Sequence, residues 1–264
     1  MKEHGTKRFV LTKQGIVTII LFVLSLTGMI LCTVFPVHSK SATANLLLAD
    51  ILPRACILVP LLWVMIWRYR ELLGFPRPWN RKKTLIWLLP PIAVALVNFP
   101  FSALISGTAT VTQPEWIWLF AIKCLLIGIV EEWFFRGILL DLFLQIAREK
   151  QRTVFLPVLF SSLAFALFHL LNLFDGAGFG AVLLQTGYSF LIGGMLAVVF
   201  CKTRNLWISV ILHTVFDAGG FLIKDLGTGN PQDLVFWILT AVVGIGCAVH
   251  IILTLVHMCK RKLR

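Results

Sequence analysis

The sequence predicts an all-α, polytopic membrane protein with about eight transmembrane helices. Of its 264 residues, 58% are hydrophobic and only 14% are charged, and the mean hydropathy is +0.89. In soluble globular domains about a quarter of the residues are charged, so this composition excludes that class. A helix that crosses a bilayer core of about 30 Å needs about 20 mostly apolar residues. Eight segments have that character: 15–35, 46–67, 84–106, 116–146, 154–173, 182–201, 206–224 and 234–258.

The individual segments differ in ways that bear on the fold. The first runs from Gly15 to Phe35 without a small-residue cleavage pattern, which is long for a signal peptide and favours a retained helix. The fourth, 116–146, is long enough to tilt strongly or to extend beyond the bilayer. The last four have ordinary spanning lengths. Neighbouring helices must satisfy the backbone groups freed by the prolines of the second and third segments, at positions 53, 60, 90, 91 and 100.

Basic residues alternate along the chain, which predicts the topology. Most of the 24 Lys and Arg lie in five segments: 2–13, 68–83, 148–152, 202–204 and 260–264. The loops between them carry only Lys40 and Lys224 as cations. Because cytoplasmic loops are enriched in Lys and Arg, we expect a multi-pass protein of the cell membrane with both termini in the cytoplasm.

The same charge map indicates how the chain is organised and which partners it has. The formal charge of +12 lies at the ends of apolar spans instead of on one folded face, so no nucleic-acid partner is expected. The longest polar connection, 68–83, is too short for a soluble domain. Residues 1–264 are therefore predicted to form a single integral membrane domain in contact with lipid.

Three ionisable residues lie inside the fourth segment and are the first candidates for function. Glu131, Glu132 and Arg136 interrupt a run of Ile, Leu, Phe and Trp. Each such charge costs about 2.5 to 3.5 kcal/mol at the centre of a membrane helix unless it faces a polar interior. Glu132 and Arg136 are one helical turn apart and can pair, while Glu131 is about 100° around the helix and stays available.

Two further apolar segments also carry ionisable residues. His169 lies in the fifth segment, and His213 and Asp217 lie one turn apart in the seventh. None of these side chains can face lipid, so the three helices are expected to share one polar cavity. The alternative is a purely structural role, in which the polar side chains only hold the helix bundle together.

These residue types point to amide hydrolysis by an activated water. A carboxylate beside a histidine in a nearly dry cavity can hold a water and remove its proton. A second histidine could donate to the oxyanion of the tetrahedral intermediate. The same Glu, His and Asp side chains could instead hold a divalent metal such as zinc, and the sequence leaves this cofactor open. HExxH, GxSxG and SxxK motifs and nucleotide-binding loops are absent from the sequence.

The three motifs together resemble a known family. The chain is similar to the CAAX protease and bacteriocin-processing family (CPBP, or Abi), which includes the type II CAAX prenyl endopeptidases. The resemblance covers residues from about 116 to 224 and implies an eight-helix fold whose cavity opens toward the cytoplasm and the membrane. It also implies an intramembrane endopeptidase that acts on a membrane-associated peptide or protein, with or without a lipid group. The motifs are Glu131-Glu132-x-x-x-Arg136, Phe165-x-x-x-His169 and His213-x-x-x-Asp217.

The resemblance also implies a role for most of these residues. Glu131 would be the base that activates water, and His169 would help to hold that water. Glu132 and Arg136 would order the site. The resemblance allows either a glutamate-activated or a metal-bound water.

Asp217 is a departure from the family pattern. His213 and the residue at position 217 would face the oxyanion, but the CAAX endopeptidases resembled here have Asn at that place. An ionised Asp cannot donate a hydrogen bond to an oxyanion. Asp217 is therefore protonated, or orients and charges His213, or ligates a metal, and the one-turn spacing favours the second role.

Two other classes of function fit the same residues. Buried Glu, His and Asp side chains also form proton relays, so a proton-coupled transporter is one alternative. The other is a non-catalytic binding or bacteriocin-immunity protein that uses the polar cavity as a docking site.

Overall fold

The computed structural model describes residues 13–37, 39–74, 81–149, 153–174 and 176–260, and these residues are largely helical. In chain order the elements are α1 (Lys13–Val34), α2 (Ala42–Arg68), α3 (Arg70–Leu73), α4 (Arg81–Val97), α5 (Phe101–Ser106), β1 (Ala109–Val111), a 3-10 turn (Pro114–Trp116), α6 (Ile117–Glu132), a π-helix (Trp133–Leu140), α7 (Asp141–Glu149), α8 (Phe155–Phe168), a second 3-10 turn (His169–Leu173), α9 (Phe179–Thr203), α10 (Leu206–Leu226), β2 (Gly227–Gly229) and α11 (Leu234–Cys259).

The helical membrane fold predicted from the sequence is confirmed, at the level of several spanning helices. Five helical stretches within the described ranges are long and apolar enough to cross a membrane: α2, α8 with the turn that follows it, α9, α10 and α11. The other three predicted segments are also helical, but they are divided or have a shorter apolar part. In α1 that part is Ile19–Cys32. The total of eight crossings stays a prediction.

Two of the predicted segments change their backbone geometry part-way. The third segment stops being helical between Val97 and Phe101, because Pro100 lacks an N–H and disfavours helical geometry at the residue before it. The fourth segment is continuous from Ile117 to Glu149, but it widens into the π-helix immediately after Glu132. Such widened turns are rare and frequently lie at functional sites.

A short two-stranded sheet, which the sequence analysis did not predict, joins the start of α6 to the end of α10. β1 pairs with β2 in an antiparallel register, with Thr110 opposite Thr228. The Leu226 carbonyl also accepts hydrogen bonds from the backbone N–H groups of Thr112 (2.8 Å) and Gln113 (3.0 Å). Gly227 allows this close pairing, because a Cβ there would collide with the Thr110 carbonyl oxygen. The sheet thus fixes the two site-bearing helices at one end.

The helices that carry the ionisable residues lie at the centre of the bundle. α6 packs along α10, and α8 packs along α9, whereas α1 packs against α2 on the periphery. The largest core cluster lies around the connection between α9 and α10, where Leu196, Phe200 and Leu206 are fully buried. Many large apolar side chains of α1 and α11 point outward, as expected for surfaces in contact with lipid.

The contact between α6 and α10 depends on Gly128. A Cβ at this position would lie 2.5 Å from Thr214 Oγ1 and 3.1 Å from the Val210 carbonyl oxygen, both in α10. We expect the Gly128→Ala variant to force the two helices apart and to lower the free energy of unfolding by about 1 to 3 kcal/mol. Thermal unfolding of the purified protein in detergent measures the loss.

Gly187→Ala in α9 is the matched control, because a Cβ there meets no atom within 4 Å. Both variants gain the same helix propensity from the added methyl group. Equal melting temperatures for the two variants would contradict the close approach at Gly128.

Candidate active site

The six side chains singled out in the sequence lie at helix ends, at changes of helix type, or in the middle of α10. Their positions are the last two residues of α6 (Glu131, Glu132), the π-helix (Arg136), the first residue of the second 3-10 turn (His169), and the central part of α10 (His213, Asp217).

Glu132 is the centre of a buried polar group. Its Oε1 accepts hydrogen bonds from Arg136 Nη1 at 2.7 Å and from His213 Nδ1 at 2.8 Å. Glu132 and Arg136 are both fully buried, at 0% exposure. Arg136 Nη2 also donates to the Gly193 carbonyl at 3.2 Å, and its guanidinium lies 4.4 Å from the centre of the Phe165 ring. The ion pair therefore joins α6 and the π-helix to α8, α9 and α10.

His213 has a fixed orientation because of this bond. A carboxylate oxygen can only accept, so Nδ1 carries the proton and Nε2 points to the opposite side. There, Nε2 lies 3.8 Å from Glu131 Oε2 and 3.5 Å from Asp217 Oδ2. Both distances exceed ordinary hydrogen-bond lengths, so Nε2 makes no direct hydrogen bond to either carboxylate. Glu132 therefore makes the hydrogen bond that orients His213, and Asp217, which the sequence spacing favours for this role, lies near the other ring nitrogen.

His169 follows directly after the last residue of α8. Its Nδ1 lies 2.9 Å from the Phe165 carbonyl oxygen, which can only accept, so Nδ1 is the protonated nitrogen and Nε2 is left for another partner. The Phe165 ring packs against both imidazoles, with centroid distances of 5.0 Å to His169 and 5.7 Å to His213. Phe165 therefore spaces the two histidines and fixes their rings.

A cavity of about 710 Å³ opens in front of these groups. Glu131, His169, His213 and Asp217 line it, whereas Glu132 and Arg136 lie behind its wall. Within the described ranges, Glu131 Oε2 is buried and has no hydrogen-bond partner, so this carboxylate oxygen keeps an unused acceptor site. Much of the remaining wall is apolar and comes from α8, α9 and α11, with Phe155, Leu159, Phe168, Leu191, Trp237 and Ile252 as examples.

The same side chains do not form a metal site in this arrangement. Across the part of the chain that the structure describes, no group of three His, Cys, Asp or Glu side chains is placed to hold one metal ion. The zinc alternative therefore stays a prediction that this arrangement does not support, and no step below passes through a metal.

A second charged group near the cavity was missed in the sequence analysis. Lys123 Nζ lies 2.6 Å from Asp50 Oδ2 and 2.9 Å from Asp225 Oδ2, and Arg54 Nη1 lies 3.0 Å from Asp50 Oδ1. These four residues connect α2, α6 and α10, and Arg54 also lines the cavity. The cost of a charge inside an apolar span, which identified Glu131 and Glu132, applies equally to Asp50, Arg54 and Lys123 and could have found them.

Comparison with known families agrees with the motifs. The model for the family described as type II CAAX prenyl endopeptidase Rce1-like matches residues 113–219. Over this stretch the chain is similar to the CAAX protease family. The matched region contains all six candidate residues, from Glu131 to Asp217. The match implies a protease, that is, a hydrolase of peptide bonds, and the apolar helices indicate a multi-pass membrane protein. Comparison with curated proteins and with solved structures finds no match.

Proposed function

We propose that this protein is an intramembrane endopeptidase of the CAAX protease type in which Glu131 activates the attacking water. The observation that carries the proposal is the unpartnered, buried Oε2 of Glu131, which faces His213 Nε2 across 3.8 Å in the cavity. A water held at hydrogen-bond distance from both atoms would have one acceptor to take its proton and one imidazole nitrogen to orient it. Proteases that use such a site need no covalent nucleophile.

In the proposed reaction, Glu131 takes a proton from the water as its oxygen attacks the carbonyl carbon of the scissile peptide bond. The carbonyl oxygen becomes the oxyanion, and Glu131 then gives the proton to the leaving amine nitrogen when the C–N bond breaks. A positioned general base contributes about 10²- to 10⁴-fold to such a rate. The proton is returned, so Glu131 is ready for the next cycle.

The neighbouring residues support this chemistry in different ways. An imidazolium at His213 would donate from Nε2 to the oxyanion, an interaction worth about 2.7 to 4 kcal/mol in the transition state. Glu132 fixes the ring by accepting from Nδ1, and Arg136 holds Glu132. Asp217 lies 3.5 Å from Nε2 and would stabilise the positive charge on His213 between catalytic events. His169 Nε2 would provide a second contact to the water.

The proposal includes a topology. The chain would cross the cell membrane eight times, with both termini in the cytoplasm and the cavity open toward the cytoplasm. The helical ranges that correspond to the eight apolar segments support this arrangement, as do the basic residues at alternate helix ends. Part of that basic pattern, including Lys7, Arg8, Arg77, Lys150 and Lys262, lies outside the described residues.

The substrate would be a membrane-associated peptide or protein. The cavity volume of about 710 Å³ and the apolar side chains of its wall suit an extended peptide with apolar side chains. A lipid chain attached to the peptide would pack against the same surfaces. The match to the prenyl endopeptidase family supports a prenylated substrate, and the assay below compares peptides with and without an isoprenyl group.

The direct test uses the purified full-length protein in lipid nanodiscs and a set of peptides with and without an isoprenyl group on cysteine. Mass spectrometry should find products of internal cleavage. Added hydroxylamine should trap no acyl-enzyme, because water attacks directly. A divalent-metal chelator should leave the rate unchanged, and a chelator-dependent loss restored by added zinc would overturn the glutamate mechanism.

The control is the same protein after thermal unfolding, which should cleave nothing. If the folded protein cleaves neither set of peptides, the endopeptidase is refuted, and a flux driven by a pH gradient would then favour the transporter.

A further inference from the structure

Arg54 is an unusual side chain in this cavity. It lies on α2, whereas the family model begins at residue 113. Among the described side chains that line the cavity, Arg54 is the only Lys or Arg. Its side chain is 31% exposed, so it is accessible from the cavity instead of being enclosed like Arg136.

Arg54 is held from behind by the second charged group. Its Nη1 donates to the Asp50 carbonyl oxygen at 2.8 Å and to Asp50 Oδ1 at 3.0 Å. The other oxygen of Asp50 is taken by Lys123, which also pairs with Asp225. Asp50 is therefore shared between two cations and does not serve Arg54 alone. Both of the hydrogen bonds to Asp50 use Nη1, so they leave the N–H groups of Nη2 and Nε for other partners.

The charges around Arg54 define what it can bind. The other charged groups on the cavity wall include the carboxyl groups of Glu131 and Asp217. An anionic group that enters the cavity is repelled near the two carboxylates and attracted at Arg54. A planar guanidinium with free N–H groups matches a carboxylate, which it can bind through two parallel hydrogen bonds.

We propose that Arg54 binds a carboxylate of the substrate and thereby positions the scissile bond at Glu131. This inference rests on the proposed endopeptidase function. Arg54 and Glu131 line the same cavity, so a carboxylate bound at Arg54 belongs to the peptide whose carbonyl group reaches Glu131. The carboxylate is either the C-terminus of the peptide or an Asp or Glu side chain close to the cleavage site.

The test compares matched peptides that differ only in this charge. One pair ends in a free carboxylate or a carboxamide, and the other pair has Glu or Gln near the cleavage site with an amidated C-terminus. The wild-type protein in nanodiscs should cleave the charged member of one pair with a kcat/KM about tenfold higher or more, mainly through a lower KM. The pair that shows the preference identifies the source of the carboxylate.

Variants at Arg54 show whether the guanidinium is responsible. Arg54→Gln should bring the ratio between charged and neutral peptide close to one, whereas Arg54→Lys should retain part of it. Asp50→Asn is the matched control, because it disturbs the same ion group but keeps the cation, and the preference should persist.

Three results would overturn the inference. Equal cleavage of charged and neutral peptides by the wild type would refute carboxylate binding and leave the endopeptidase intact. An unchanged ratio in Arg54→Gln, with all peptides cleaved more slowly, would assign Arg54 a purely structural role. No cleavage of any peptide by the folded wild type would refute the endopeptidase and this inference with it.

Discussion

Replacing Glu131 with Gln is expected to lower kcat for peptide cleavage by about 10²- to 10⁴-fold. The amide of Gln has nearly the same shape but cannot accept the proton of the attacking water. Folding should hardly change, because within the described ranges Glu131 Oε2 has no hydrogen-bond partner that the substitution would remove. KM should change little, since in the proposed reaction the side chain contacts the attacking water and not the body of the peptide. Steady-state kinetics with the best substrate from the nanodisc assay measures both constants.

Glu115→Gln is the matched control for this experiment. Glu115 is an exposed carboxylate in the 3-10 turn before α6 and lies outside the cavity. The same change of charge at this position should leave kcat at the wild-type value. A Glu131→Gln protein that melts like the wild type and cleaves at the wild-type rate would contradict the role of Glu131 as the base.

Replacing Glu132 with Gln is expected to have the largest effect on stability. The substitution leaves the Arg136 guanidinium fully buried without a countercharge, and removal of one partner from a buried ion pair costs about 3 to 5 kcal/mol. Activity should fall as well, because a neutral amide does not stabilise an imidazolium at His213. Denaturant or thermal unfolding in detergent measures the first effect, and the nanodisc assay measures the second.

Two further variants separate stability from chemistry. The double variant Glu132→Gln/Arg136→Met removes both buried charges and should regain much of the lost stability, while its cleavage rate stays below the wild type. Asp141→Asn removes one carboxylate from a pair with Arg204, whose side chain is 46% exposed, and should cost less than about 1 kcal/mol. If the Glu132→Gln and Asp141→Asn variants melt at the same temperature, loss of the countercharge to Arg136 does not destabilise the protein as expected.

The sequence predicted much of the fold because apolar length alone largely determines where a membrane helix lies. The predicted segment 206–224 corresponds to α10, and 234–258 corresponds to α11, with ends that differ by at most two residues. The end of the helix before Pro100 and the pairing of β1 with β2 could not be predicted from apolar length. Pro90 and Pro91 remain inside α4, so the presence of proline does not by itself decide whether a helix ends. The strands contain Thr and Gly residues whose pairing depends on where α6 and α10 meet.

The site was predicted less completely, because spacing along one helix does not identify contacts between helices. The pair Glu132–Arg136, one turn apart, forms as its spacing predicts, at 2.7 Å. The partner of His213 Nδ1 is instead Glu132 on another helix, whereas Asp217 on the same helix lies near Nε2. The spacing to Arg136 distinguishes Glu132 from Glu131 in the sequence, but only packing shows that Glu131 lies on the cavity wall and Glu132 behind it.

The π-helix between Glu132 and Asp141 sets the rotation of α7 relative to α6. An α-helix turns about 100° per residue, so deleting one residue from the widened stretch and restoring regular turns would rotate everything that follows by about that angle. Asp141 would then turn away from Arg204, and the apolar face of α7 would no longer meet its neighbours. The extra residue therefore lets one continuous helix present polar side chains toward the cavity at the end of α6 and apolar side chains toward the core in α7.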